Sequence, residues 1–227
     1  MSASSKRLIL DNDAEAHAKG HWMEFYLTYE GPLNATQRDP VPGQEPRHAQ
    51  NRRDIRRVFH GQLKKLWAEI PSLKGSPGRP QFYTTMGNEC PASIDQLAAA
   101  HAMYGFNFVP LVTEQLDLLC NLDILMLRPD RPGSVIWAGD IDNRLKTLLD
   151  ALRIPEAGEK YGETPPNMDE QPFFVLLQDD KLITKVAVET DRLLQAVQST
   201  PRDDDVRLFI RVSIRPYAMH SDNIHFG

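Results

Sequence analysis

The sequence predicts an α+β domain, a small mixed or antiparallel sheet packed with helices. Three observations carry that expectation. Residues 206–214 alternate strictly, with Val206, Leu208, Ile210, Val212 and Ile214 on one side. Residues 116–127 do the same through Leu116, Leu118, Cys120, Leu122, Ile124 and Met126. Between residues 48 and 69, apolar residues recur instead at three- and four-residue steps, the period of a helix. Strands, helices and strands follow one another without a βαβ rhythm.

The 227 residues are 41% hydrophobic and 25% charged, enough for one sizeable core. A single domain is expected over 21–215, with tails at 1–20 and 216–227. No run approaches the length of a membrane helix, and the N-terminus lacks the apolar centre of a signal peptide. The two cysteines, Cys90 and Cys120, fit no zinc or redox spacing. The expectation is a cytoplasmic protein without a membrane partner. Net charge is -5, but the charge is uneven. The first 80 residues are basic on balance and the remainder acidic.

Taken in order, Met23 to Tyr29 is aromatic and partly alternating, a strand that Gly31-Pro32 should end. Residues 31–47 are rich in proline and read as a loop. The helix over 48–69 buries Ile55, Val58, Phe59, Leu63, Leu66 and Trp67, and Pro71 stops it. Its other face carries Arg52, Arg53, Arg56, Arg57, Lys64 and Lys65. Two readings stand side by side: a solvated face, or a surface that contacts phosphates. Gln81 to Met86 reads as a short strand, and Ile94 to Tyr104 as a helix capped by Ser93 and stopped by Gly105. Residues 71–105 look like an insertion or a lid. Phe106–Val112 and Leu116–Leu127 are strands, the second central, antiparallel and wet on one face. Ser134 to Ala138 approaches the next helix. Residues 154–172 form a long polar loop, Phe173–Leu177 a short apolar run, and Leu182–Thr190 a strand with Val186 and Val188 on one face.

The chemistry concentrates in Gly139–Leu152 and in Asp179-Asp180. On a helix starting near Asp142, Leu145, Leu148, Leu149 and Leu152 make one buried stripe. Asp142, Lys146 and Asp150 flank it at i, i+4 and i+8. Asp140 precedes them at the end of a strand. Asp140, Asp142, Asp179 and Asp180, with Asp150 nearby, are hard oxygen donors suited to Mg²⁺ or Mn²⁺. A lysine such as Lys146 stabilises charge developing on a phosphate. Asn143 caps the helix or orients a water. The plainer reading is equally physical: Asp142 and Asn143 are good N-caps, and Asp142, Lys146 and Asp150 make ordinary i,i+4 pairs. Serine-hydrolase, P-loop, dinucleotide and zinc-protease signatures are all missing from the sequence.

The pattern Asp-Ile-Asp-Asn-x-x-Lys-x-x-x-Asp-Ala-Leu, followed by Asp-Asp before a strand, resembles the RusA family of Holliday junction resolvases. The resemblance extends to the strand ending in Gly31-Pro32-Leu33-Asn34 and to the basic helix after it. It implies metal-dependent cleavage through Asp140, Asp142, Asp180 and Lys146, with metal held by the three aspartates. Asp150 and Asp179 match the pattern's remaining acids as supporting residues; beside the resemblance, Asn143 is read from the residues as a further support, and Arg52, Arg53, Arg56, Arg57, Lys64 and Lys65 as DNA contacts. It also implies a homodimer, Mg²⁺ (or Mn²⁺) as cofactor, branched DNA as substrate, and a phage or prophage setting for many members. The chain departs from the family pattern in three places. The arginines before the first aspartate are replaced by Ser-Val-Ile-Trp-Ala-Gly, the spacing from Asp150 to Asp179 is long, and residues 71–105 are extra. Two alternatives stand beside junction resolution: a catalytically silent DNA-binding or assembly protein, and a nuclease for another nucleic-acid structure.

Overall fold

The computed structural model describes residues 23–35, 47–70, 73, 94–129, 140–159, 165–195, 202–219, 223 and 226, with Asp140 described by its backbone alone. The strand expected over 81–86 and the approach at 134–138 lie outside these residues.

The alternation in the sequence becomes a mixed four-stranded sheet in the order β1-β7-β4-β6. Its strands are β1 (Met23–Pro32), β4 (Leu118–Arg128), β6 (Ile183–Arg192) and β7 (Asp205–Pro216). β7 runs antiparallel to β1 and β4, while β6 runs parallel to β4. The inward set of β7 is fully buried, and so is that of β4 apart from a slight exposure of Ile124. The alternate residues of β4 are partly exposed, which is the one-wet-face pattern expected of it. Each such Leu or Ile contributes about 1.5–3 kcal/mol by leaving water. A second sheet has the order β2-β3-β5, from β2 (Ala102–Met103), β3 (Phe106–Val112) and β5 (Phe173–Leu177). β3 and β5 are parallel, and every residue of β5 is buried. The architecture is α+β with a mixed sheet packed against helices.

Packed with the sheets are the α-helices α1 (Arg47–Glu69), α2 (Ile94–Ala100) and α3 (Asp140–Leu152). α1 packs against β1, β5 and α3, burying Ile55, Phe59, Leu63 and Trp67. Val58, expected inside, is exposed. In α3, Leu148 and Leu152 are buried and Leu145 and Leu149 pack partly against the core, as the stripe predicts.

Three expectations need correcting. β1 runs beyond Tyr29, pairing with β7 to its end at Pro32. Gly31 is required there, because a Cβ would lie 2.8 Å from the Tyr29 hydroxyl, which donates to Pro32 O. α2 ends at Ala100 rather than Tyr104, because Tyr104 and Gly105 take positive φ and turn the chain into the β2–β3 hairpin. Asp140 is the first residue of α3, not the end of a strand. Within the C-terminal tail, Phe226 is buried, and Asn223 donates to Leu116 O and Ala218 O.

The turn after β1 positions the helices. Asn51 on α1 accepts from Asn34 N–H and donates to Pro32 O, and Arg144 on α3 donates to Leu33 O at 2.6 Å. The Leu33–Asn34 turn is thereby fastened to α1 and α3 together.

Candidate functional site

The charged flank of α3 runs from solvent into the interior. Asp142 and Lys146 are exposed and Asn143 is partly so. Asp150, about 12 Å further along the helix axis at 1.5 Å per residue, is only 5% exposed. Its Oδ2 accepts from Arg52 Nη1 and its Oδ1 from Arg153 Nη2, both at 2.9 Å. With both oxygens held by guanidinium groups, Asp150 is a structural anchor, and the regular i,i+4 spacing does not give three equivalent carboxylates.

Asp179 and Asp180 lie where β5 turns toward β6. Asp179 caps the 3-10 turn Asp180–Leu182 by accepting from Lys181 N–H at 3.0 Å. That bond first, and the Lys181 and Arg153 charges after it, hold its carboxyl below the usual carboxylate range. Lys181 is itself paired with Glu114. Asp180 is open, its side chain 51% exposed, with Oδ2 3.8 Å from Arg153 Nε. Arg153 pairs with Asp150 at 2.9 Å and with Glu156 at 2.8 Å, and lies 3.8 Å from Asp180 beyond the C-terminal end of α3. Among the described residues no hydrogen bond or ion pair joins Asp142 to Asp179 or Asp180, and no group of three metal-ligating side chains is gathered. The Asp140 side chain is outside this description.

Four arginines of α1, Arg52, Arg53, Arg56 and Arg57, make contacts within the fold, while Arg47 is exposed. Arg56 is 1% exposed; it donates to Asp150 O at 2.6 Å and Arg153 O at 3.2 Å and lies 3.4 Å from Glu159. Arg53 is buried and donates to Gln50. Arg52 reaches Asp150 and Glu159, and Arg57 bonds Glu170 at 2.8 Å. Lys64 donates to Asp169 O, and Lys65 is exposed beside Glu69. The basic first part of the chain therefore neutralises acids of its own second part. The described segments of 154–172 are bound to α1 by these contacts, which is why a stretch without periodicity is ordered at Met168–Glu170.

Two participants escaped the sequence reading. Arg153 follows Asp150 by three residues, the spacing of a helical ion pair, and that was its available signal. His48 lies near Arg52, Asp150 and Lys146; burial first, and the Arg52 charge next, push its imidazole below its ordinary pKa. A scattered histidine gives no such signal.

In donor chemistry, the exposed carboxylates of Asp142 and Asp180 suit a hard divalent cation better than the buried Asp150, each of whose oxygens already accepts from a guanidinium. No family model matches the chain, and no curated protein matches it. Among the described residues, no helix is long and apolar enough to cross a membrane.

Proposed function

We propose that this chain is a divalent-metal-dependent endonuclease of the RusA type, cutting branched DNA such as Holliday junctions. The observation that supports this most is the Arg153 link. It joins Asp180 to the C-terminal end of the helix whose first turns carry Asp142 and Lys146, although the two segments are far apart in sequence.

In this reading Asp142 and Asp180, with Asp140, hold Mg²⁺ or Mn²⁺. Such an ion activates water and offsets charge on the phosphate oxygens. Lys146, exposed one turn beyond Asp142, donates to the oxygen on which charge develops. Asn143 orients the attacking water. Asp150 and Asp179 shape the surroundings through the arginines and the 3-10 cap. Of the six basic residues expected to contact DNA, Lys64 and Lys65 are the exposed ones and carry the backbone contacts. The protein acts as a cytoplasmic homodimer, whose two sites make the paired cuts that a symmetric junction needs.

The test is cleavage of synthetic four-way junctions, flaps and linear duplex in Mg²⁺ or in EDTA. Branched substrates should be cut in Mg²⁺ alone. Asp142→Asn should abolish cutting while binding persists. Full activity in that variant would sink the site assignment. Wild-type binding without any cutting would replace this reading with that of a silent DNA-binding protein.

A further inference from the structure

We infer that the outer edge of β6 joins a second copy of this chain, β6 to β6 and antiparallel, about a two-fold axis at Ala187. The inference names the surface of the homodimer proposed above and rests on that part of the reading. β6 ends the four-stranded sheet, and among the described residues only β4 pairs with it. It is ten residues long and contains no proline. The N–H and C=O groups along such an edge are ready to pair with another strand.

The occupant is read from the order of the side chains. From residue 184 to 190 the strand runs Thr-Lys-Val-Ala-Val-Glu-Thr. The run is the same in both directions, except that lysine answers glutamate. Antiparallel pairing centred on Ala187 sets Lys185 opposite Glu189 and Val186 opposite Val188, and repeats both pairs across the axis. An isologous interface demands this self-complementarity. Opposite charges, and β-branched residues, are favourable partners across a strand pair. In-register parallel pairing would instead set lysine against lysine and glutamate against glutamate. The whole strand carries two basic and two acidic residues, so it has no net charge to draw a polyanion.

Both faces of β6 agree with this pairing. Val186 and Val188 lie in register with Leu122 and Ile124, so they extend the buried side of β4 to the edge of the sheet. The apolar face is left open there, since Val186 is 38% exposed while Leu122 is fully buried. In the pair, Val188 of the second copy lies beside Val186 and closes this end of the core. Lys185, Ala187 and Glu189 lie on the other face, in register with Asn121, Asp123 and Leu125. Lys185 Nζ is 2.6 Å from Asp123 Oδ1, with its side chain 55% exposed. An ammonium has three donors, so Lys185 can meet Glu189 without leaving Asp123.

The experiment is sedimentation equilibrium of the full chain, with circular dichroism to confirm folding. Wild-type protein should be a reversible dimer. Glu189→Lys sets lysine opposite lysine at both ends of the pairing, and Lys185→Glu sets glutamate opposite glutamate. Each should raise the dimer dissociation constant about tenfold. An equimolar mixture of the two variants should recover near wild-type affinity, because every charged pair in that heterodimer is again lysine with glutamate. A general loss of stability would not be repaired by mixing. Glu189→Lys carries the test alone if Lys185→Glu, which also loses the Asp123 contact, does not fold. A dimer that Glu189→Lys leaves unweakened, or a mixture as weak as its components, would overturn the β6 edge while leaving the homodimer in place. Wild-type protein that stays monomeric at its highest soluble concentration would overturn both, and the cleavage assay tests the nuclease reading separately.

Discussion

Replacing Arg56 by methionine separates a structural role from a DNA-binding one. Methionine keeps much of the apolar stem and removes the guanidinium. The lost bonds go to Asp150 O and Arg153 O, at the C-terminal end of α3. Helix ends leave carbonyls without partners, and a cation there also complements the helix dipole. A hydrogen bond from a charged group contributes about 1.5–3 kcal/mol net, and breaking a buried pair from one side typically costs about 3–5 kcal/mol. Glu159, with its side chain only 5% exposed, would keep Arg52 at 3.7 Å as an ion-pair partner. The bonds are not additive, so the expected loss for Arg56→Met is about 3–5 kcal/mol. Urea unfolding followed by circular dichroism measures it, with exposed Lys65→Ala as a control expected within about 0.5 kcal/mol of wild type. The salt dependence of DNA binding should be unchanged in the folded fraction. A loss below about 1 kcal/mol, together with a salt slope reduced by about one, would refute the clamp and restore Arg56 as a phosphate contact.

Other outcomes follow from the same geometry. Asp142→Asn and Lys146→Met alter exposed groups and should leave stability within about 0.5 kcal/mol while cleavage is lost, as thermal melts and junction assays would show. Lys65→Glu should weaken DNA binding evenly across sequences and lower the salt slope by about one or more, measured by fluorescence titration. Leu148→Ala empties a fully buried position of α3 and should cost about 2–5 kcal/mol in urea unfolding. Acid should destabilise the fold through His60. Its Nδ1 accepts from Phe174 N–H at 2.9 Å, its Nε2 lies 3.2 Å from Asp169 O, and burial first pushes its pKa below the ordinary value. The unfolded state then binds the proton more readily, so this contribution is intact above about pH 6.5 and declines as pH falls toward the lowered folded value. His48 and His101, both lowered by burial, act in the same direction. A urea midpoint that stays level from pH 8 to about pH 5 would contradict this.

The sequence made some of this legible and hid the rest for physical reasons. β7, the inward side of β4 and the leucines of α3 were readable because burial imposes a period on residue type. Period reports which side of an element is apolar but not what a polar side meets. Arg56 lies 94 residues from Asp150 and 103 from Glu159, and no local rule predicts such partners. The same limit hid the parallel pairing of β3 with β5, which unites residues more than sixty positions apart. The carboxylates were legible as residue types, but their unequal burial was not. Asp150 is an anchor and Asp180 is open because one faces the arginines of α1 and the other a turn. Arg153 was passed over because its effect depends on a bridge to Leu177 that forms only in the folded chain.

Crystals soaked in Mn²⁺ and measured for anomalous scattering test the central claim most directly. The account predicts a peak ligated by both Asp142 and Asp180, with Lys146 beside the open coordination positions. A saturating soak that leaves these two aspartates without a shared ion, or that places the ion elsewhere on the molecule, would contradict it.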